Sequence, residues 1–436
     1  MTFFPPDGRR PGLVVRIPAL AAVLLIFATF VYRGPLHALH DSDVGRDSVD
    51  FAPIYGAARA WFHGGNPYDI PTIHSEFYKA GGLEIHHPNN YFPPMMAIAS
   101  IASWSNWATA KLIWMIIEVV AWGATLYCVM KMADWKPPAK LIVLIWGMGC
   151  WPAVMNIRWG QPAMLCCALT IWAIWWAHKE HDLAAGIVLG LAACAKPTLA
   201  AAAVFFCLLQ LKFRPLVIAG VTAAVLYAGV LATAWPASSH WLALQQKNTL
   251  DEFVSGPENP LPSGSEVTDF VNIQPVIAVF SNNLTLGNIL TFLLIGILFV
   301  FFFLKIRRIS APRLMRTGNW PAVVTFSVAT ALLVIYHRYA DLFLIAAVFP
   351  GCYQLYKQGR YRLLVAVVAI LAILSVPTQT ELSQRLAINP DLRTHEPLEY
   401  VRVLLLFRHQ AFLLIALAFL SFKMLVSAPA AEAAGG

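Results

Sequence analysis

Charge is what this sequence has least of. Of its 436 residues only 12% are Asp, Glu, Lys or Arg, while 58% are hydrophobic. A soluble domain carries about 25% charge, so a water-soluble fold around one large core is excluded. Cysteine is sparse as well. The seven residues Cys128, Cys150, Cys166, Cys167, Cys194, Cys207 and Cys352 all fall in apolar stretches. None lies in a polar loop, which excludes a disulfide framework, and none has metal-site spacing. Adjacent Cys166 and Cys167 read as small apolar residues of one helix. No internal repeat is evident. No small-residue cleavage site follows the first apolar run, so it does not read as a cleaved signal peptide.

What the chain does have is long apolar runs, such as 17–36, 215–235, 284–304 and 402–425. Each is close to the ~20 residues that cross a bilayer as a helix. The net charge of +8 is concentrated in short loops: Lys131/Lys136/Lys140, Lys212/Arg214, Lys305/Arg307/Arg308/Arg313/Arg316 and Lys357/Arg360/Arg362. That pattern is the positive-inside signal rather than a nucleic-acid surface. It puts these loops on the cytoplasmic side, together with the N-terminus carrying Arg9, Arg10 and Arg16.

Apolar runs and charge together predict an all-α polytopic membrane protein of about 12 transmembrane helices. The spans are about 17–36, 106–130, 140–156, 161–177, 184–195, 198–211, 215–235, 284–304, 320–336, 341–356, 362–377 and 402–425. Both termini are then inside. Exterior segments fall at about 37–105, 236–283 and 378–401, within one integral membrane domain over 1–426, followed by a tail at 427–436. The short spans 184–195 and 198–211 flank Lys196-Pro197 and read as broken helices meeting at the outer side. Such irregular backbone survives at membrane depth only where protein or a watery cavity covers it. The apolar stretch 93–104 is too short to cross. It reads as a half-buried or interfacial helix opened by Pro93-Pro94. The exterior segment 236–283 starts with an amphipathic stretch from Trp241 to Phe253.

Four polar spots share the outer face in this scheme. They are Asp41/Asp43/Arg46/Asp47/Asp50, the turn Asn156-Ile157-Arg158-Trp159-Gly160-Gln161, Lys196-Pro197, and His337-Arg338-Tyr339-Ala340-Asp341. Charges near lipid are costly and are kept mainly where they bind or react. A carboxylate in a partly desolvated cleft can take a proton from a sugar hydroxyl. The cations Arg158, Lys196 and Arg338 can bind a phosphate and stabilise its growing charge as it leaves. His337 joins them as a candidate phosphate contact. Rings at Tyr55, Trp61, Tyr68 and Trp159 can stack on a sugar, and Asn66, Gln161 and Asp341 can contact substrate. A lipid-phosphate-sugar meets all these demands, with its tail between helices. Asn66-Pro67-Tyr68 also reads as a turn with an interface-anchoring tyrosine. The pair His86-His87 completes no zinc pattern. No cofactor is expected. A divalent ion bridging an acid and phosphate is possible but not favoured, since no second acidic ligand is evident.

The residues Asp50-Phe51, Tyr55, Ala57-Ala58 and Gly65-Asn66-Pro67-Tyr68, then Tyr91-Phe92-Pro93-Pro94, Gly160-Gln161 and Lys196-Pro197, resemble glycosyltransferase family 87. The resemblance touches most of the chain, and Asp50 to Tyr68 is its most specific part. It implies the C-type membrane glycosyltransferase architecture, with exterior loops forming the active site. It implies transfer of a hexose, mannose favoured, from a polyprenyl-phosphate donor to a lipid-linked or glycan acceptor. The site would face the exterior or periplasmic side of a bacterial inner membrane. The role of catalytic base is implied for Asp50. An inverting single displacement is implied as well. The sequence agrees in offering one well-placed carboxylate rather than a nucleophile-and-acid pair, and Arg338 is the expected ion-pair partner of Asp341. Late in the chain His337-Arg338-Tyr339-Ala340-Asp341 departs from the Trp-x-His-His pattern of phosphatidylinositol-mannoside mannosyltransferases. A transporter or flippase of a lipid-linked sugar is the alternative. It would more often show repeats and mid-membrane ionisable residues, and neither is evident.

Overall fold

The computed structural model describes residues 13–40, 50–83, 85, 88–233, 238–254, 270–281, 283–308, 319–334, 337–376 and 409–425. Asp41, Asp43, Arg46, Asp47, His86, His87, Arg313 and Arg316 lie outside these residues, as do the N-terminal Arg9 and Arg10, the segment 378–401 and the tail 427–436. The described regular structure is helical.

The first helix, α1 (Leu13–Val31), continues through a π-helical turn at Tyr32–Leu36 and a last turn at His37–His40. Three helices then build a cap: α2 (Phe51–Phe62), α3 (Ile70–Lys79) and α4 (Pro93–Ser103). The bundle follows with α5 (Trp107–Lys131), α6 (Pro137–Gly149), α7 (Trp151–Trp159), α8 (Ala163–His178), α9 (Asp182–Ala195), α10 (Pro197–Leu209) and α11 (Phe213–Ala232). After α12 (Ser238–Val254), which matches the amphipathic stretch expected there, come α13 (Gln274–Ser281), α14 (Leu284–Arg308) and α15 (Trp320–Leu333). A 3-10 segment, Tyr339–Val348, leads into α16 (Phe349–Lys357), and α17 (Tyr361–Leu374) and α18 (His409–Leu425) complete the described chain.

Proline starts many of these helices. Pro93, Pro137, Pro152, Pro197, Pro321 and Pro350 sit in first turns, where the missing N–H is not needed. Side-chain caps start two others. Asp69 accepts from the Thr72 N–H at 3.1 Å and Asn106 from the Thr109 N–H at 2.9 Å, satisfying otherwise orphan donors. In the bundle, α9 lies close on α11. A Cβ on Gly186 would meet Ile218 at 2.5 Å, and one on Gly190 would meet Thr222 at 2.6 Å. Small residues four apart permit this backbone approach, as in membrane helix pairs generally.

Four described helices are long and apolar enough to cross a membrane: Leu20–Leu39, Trp107–Lys131, Phe213–Ala232 and Leu284–Ile306. The pair Pro137–Gly149 and Trp151–Trp159, bent by 48°, makes a fifth if taken together. The protein is therefore multi-pass. Two expected straight spans are not single helices. The one at 140–156 breaks at Cys150, whose backbone is extended, and the freed Trp151 N–H donates to the Ser375 carbonyl at 2.9 Å. The one at 341–356 begins as ten residues of 3-10 helix before Pro350 restarts an α-helix. Seven further apolar helices have 10–17 residues. At ~1.5 Å per residue these are shorter than the ~30 Å hydrocarbon layer.

The buried apolar residues form two clusters. The large one fills the bundle from α5 to α18. The smaller one joins the cap to the bundle: Phe51, Tyr55, Phe77 and Met95 pack with Trp114 of α5 and Ala195 at the end of α9. Ala195 and Trp114 of this smaller cluster adjoin two of the candidate polar spots, Lys196 and the Gly160-Gln161 turn.

Candidate active site

Asp50 is the residue from which α2 starts. Its own N–H donates to the Trp159 carbonyl at 3.1 Å, which ties the start of α2 to the end of α7. Its side chain does not cap the helix. Instead the Gln161 amide Nε2 donates to Asp50 Oδ2 at 2.7 Å, and an Arg338 guanidinium nitrogen stands 4.0 Å from Oδ1. Asp50 is 8% exposed. It is thus a nearly buried acid with an amide donor on one oxygen and a cation near the other.

The Gly160-Gln161 pair has a structural cause. Gly160 closes α7 with φ +65°, a conformation costly for residues with a Cβ. A Cβ there would also meet the Phe51 Cβ at 2.8 Å. The Trp114 indole N–H donates to the Gly160 carbonyl at 2.9 Å, and its ring stacks on Phe51 with centroids 4.5 Å apart. The next N–H, of Gln161, returns to the Asn156 carbonyl at 3.0 Å, a helix-ending bond pattern that glycine permits. The tight turn thus presses Asp50-Phe51 against α7 and delivers Gln161 to the carboxylate.

A second acid lies alongside. Asp341 is fully buried, and three donors reach it. Lys196 Nζ approaches Oδ1 at 2.6 Å, His337 Nδ1 lies 3.0 Å from Oδ2, and the Arg338 backbone N–H donates to Oδ2 at 3.2 Å. Lys196 occupies the expected break. Its φ of −153° and ψ of 92° end α9 and begin α10, and the Cys166 thiol faces its carbonyl at 3.4 Å. The ion pair expected between Arg338 and Asp341 is not what forms. Lys196 takes the carboxylate because the helix break points its side chain there, and the Arg338 guanidinium turns toward Asp50. His337 is fully buried, and no hydrogen-bond partner among the described residues reaches its Nε2.

A short extended stretch runs over these residues. Val271 N–H donates to the His337 carbonyl at 2.9 Å, and Phe270 bridges antiparallel to Arg338. Four polar segments far apart in sequence thus meet: Asp50, the α7–α8 turn, Lys196, and His337 to Asp341. Arg158 is half-buried in the last turn of α7, two residues before Gly160.

The remaining candidates sit elsewhere. Tyr55 is fully buried in the cap, with its hydroxyl donating to the Ser105 carbonyl at 2.6 Å. Tyr68 is also fully buried and donates to the Tyr91 carbonyl at 2.8 Å. Burial pushes its hydroxyl well above the ordinary tyrosine range. Asn66 folds back to accept the Tyr68 N–H at 3.0 Å, as an Asx turn does. Trp61 donates its indole N–H to Thr233 at 2.8 Å, pinning the cap to the end of α11. Trp159 is half-buried. These cap contacts brace the fold around the site.

Two residues escaped the sequence reading. Asn156 was visible only as part of a polar turn, yet its side chain links that turn to the Asp341 segment. Glu118 lies midway along α5 and is fully buried, with the Leu165 backbone N–H beside its carboxylate and no ion-pair partner among the described residues. It is a mid-span ionisable group of the kind the sequence reading did not find. Its single charge was hidden inside an otherwise apolar run. Among the described residues no three His, Cys, Asp or Glu side chains gather as a metal site requires.

Fold and site together define a multi-pass membrane protein with a nearly buried acid–base and cation cluster. The model of glycosyltransferase family 87 matches residues 90–336, more than half of the chain, and the protein belongs to that family of membrane glycosyltransferases. The match includes Arg158, Gln161 and Lys196. Asp50 precedes it, and His337 and Asp341 follow it. No curated protein and no solved structure matches the chain.

Proposed function

We propose that this glycosyltransferase moves a hexose, with mannose favoured, from a polyprenyl-phosphate donor to a lipid-linked or glycan acceptor. The observation that carries the reading is one acid poised for a proton beside a set of cations suited to a phosphate. Asp50 accepts from Gln161 at 2.7 Å with the Arg338 guanidinium 4.0 Å away, and the neighbouring Asp341 holds the Lys196 ammonium at 2.6 Å and His337 at 3.0 Å. In the proposed step the acceptor hydroxyl oxygen attacks the anomeric carbon and Asp50 takes its proton. The carbon–oxygen bond to phosphate breaks, and the electron pair leaves with the lipid phosphate. Arg338, Arg158 and Lys196 stabilise the charge that grows on that phosphate, an interaction strongest in the transition state. Lys196 does so while shared with Asp341. A single displacement inverts the anomeric centre, giving an α-linked product from a β-linked donor. Gln161 positions Asp50, and His337 and Asp341 line the donor side.

The same reading takes the C-type architecture with about twelve crossings, the short helices joining as broken spans. It takes one integral membrane domain in a bacterial inner membrane, with the site at the exterior face and both termini in the cytoplasm.

Purified protein given a radiolabelled polyprenyl-phosphate hexose tests the proposal. The expected result is transfer to acceptor with inverted configuration by NMR and no sugar adduct on quenched protein by mass spectrometry. A retained configuration, or direct use of a nucleotide sugar, would overturn the mechanism. Glu118 is the one observation favouring a transporter of lipid-linked sugar. Movement of intact donor across vesicles without bond cleavage would establish that second reading.

A further inference from the structure

We infer that Asn156 is a positioning residue that sets the distance between Asp50 and the Lys196–Asp341–His337 cluster. The inference rests on the proposed role of Asp50. Asn156 is fully buried near the end of α7. Its side-chain nitrogen donates to two backbone carbonyls, Pro152 one turn earlier and Ala340 across the site, both at 2.8 Å. Both partners can only accept, so the orientation of the amide is fixed. Its backbone carbonyl meanwhile receives the Gln161 N–H at 3.0 Å. Gln161 holds Asp50, and Ala340 directly precedes Asp341. One side chain therefore ties the turn that holds the acid to the segment that organises the cations.

The requirement is specific. Two donors must leave one atom at the end of a two-carbon reach. Asparagine supplies them, serine offers one and aspartate none when ionised. A serine in a helix bonds the carbonyl one turn back. Asn156→Ser therefore keeps the tie to Pro152 and cuts the tie to Ala340. Asn156→Asp keeps size and shape but turns an acceptor toward two carbonyl oxygens. Small misplacements of reacting groups are costly, up to ~10²-fold for about 1 Å.

The test is steady-state kinetics of the full-length protein with the radiolabelled polyprenyl-phosphate hexose used above, per folded molecule. Asn156→Ser should lower kcat about 10- to 100-fold with KM within about threefold, and Asn156→Asp should lower it further. A space-filling role would reverse that order, because aspartate is the closer isostere. Adding Gln161→Ala to Asn156→Ser should cost much less than the product of the two single losses, since both act through Asp50. A serine variant within about twofold of wild-type kcat, or losses that simply multiply, would overturn the inference. In either case an active wild type leaves the proposed function standing. Absence of hexose transfer by the wild type would remove both.

Discussion

Glu76 in the cap and Asp341 in the bundle each gather a histidine and basic groups, and the two clusters differ in how far water reaches them. Glu76 takes Lys79 at 2.7 Å and His63 at 2.6 Å, with Arg59 at 3.9 Å. The Lys79 and His63 side chains are 62% and 46% exposed, so water shares the charge. Arg59 spends donors on the Ser103 and Ser105 carbonyls. That cluster staples α2, α3 and the end of α4, and Arg59 Nε is left there without a hydrogen-bond partner among the described residues. Asp341 and His337 are fully buried, and His337 Nε2 and Gln161 Oε1 have no hydrogen-bond partner among the described residues. Unmade hydrogen bonds in a buried place cost about 1–3 kcal/mol each. Both clusters leave a buried polar atom unpartnered, so what separates them is water: the Glu76 partners Lys79 and His63 are open to solvent, whereas Lys196, His337 and Asp341 are withdrawn from it. The comparison separates two clusters that composition alone would treat alike.

The largest expected effect sharpens that contrast. Lys196→Met strands the buried Asp341 charge, and breaking a buried pair costs about 3–5 kcal/mol. Adding Asp341→Asn should return the chemical-denaturation midpoint and folding yield toward wild type, while hexose transfer stays lost. Recovery of transfer in the double variant would reduce the pair to a staple like that of Glu76. Next in size is Gly160→Ala. The positive φ costs about 1–2 kcal/mol and the contact with Phe51 about as much again. Transfer should fall with it, because Phe51 carries Asp50. A thermal midpoint unchanged from wild type would contradict this account of the turn.

Glu76→Gln should be milder, about 1 kcal/mol or less, because its ion pairs are partly solvated. Burial pulls the Glu76 carboxyl upward, but hydrogen bonds and charge from Lys79 and His63 outweigh it and hold the group below the usual carboxylate range. A depressed folded value adds stability above the unfolded value, and that stability is lost as pH falls through the folded one. Wild type should therefore exceed the variant in thermal midpoint near neutrality, and the two should converge in acid. A gap that widens as pH falls would reverse the sign of the argument. Smallest is Glu118→Gln, which preserves shape at a site with no ion-pair partner among the described residues. Transfer within about threefold of wild type is expected for a change that conserves volume. A large loss measured in the same assay would place Glu118 in the proton or substrate path.

Much of this was legible in the chain. Lys196-Pro197 read as a helix break because proline cannot continue a helix but can start one, and the structure breaks there. Pro93-Pro94 marked the start of α4 in the same way. Gly160-Gln161 was visible as a motif, but its cause, the contact with Phe51 and Trp114, needed residues far apart in sequence. Tyr55 and Tyr68 looked like sugar-contacting rings. Their hydroxyls satisfy carbonyls at Ser105 and Tyr91, long-range pairings that no local pattern announces. The choice of Lys196 over Arg338 as the partner of Asp341 depended on where a helix break aims a side chain. Sequence proximity favoured Arg338, and geometry decided otherwise.

The most direct measurement compares Asp50→Asn with Glu76→Gln in one assay of hexose transfer, normalised to folded protein. The account predicts a loss of about 10²–10⁴ for Asp50→Asn, the range for a missing general base, with donor binding retained. It predicts that Glu76→Gln stays within about threefold of wild type, as for a partly solvated ion pair. Near-wild-type turnover in Asp50→Asn, or equal losses in the two variants, would contradict it.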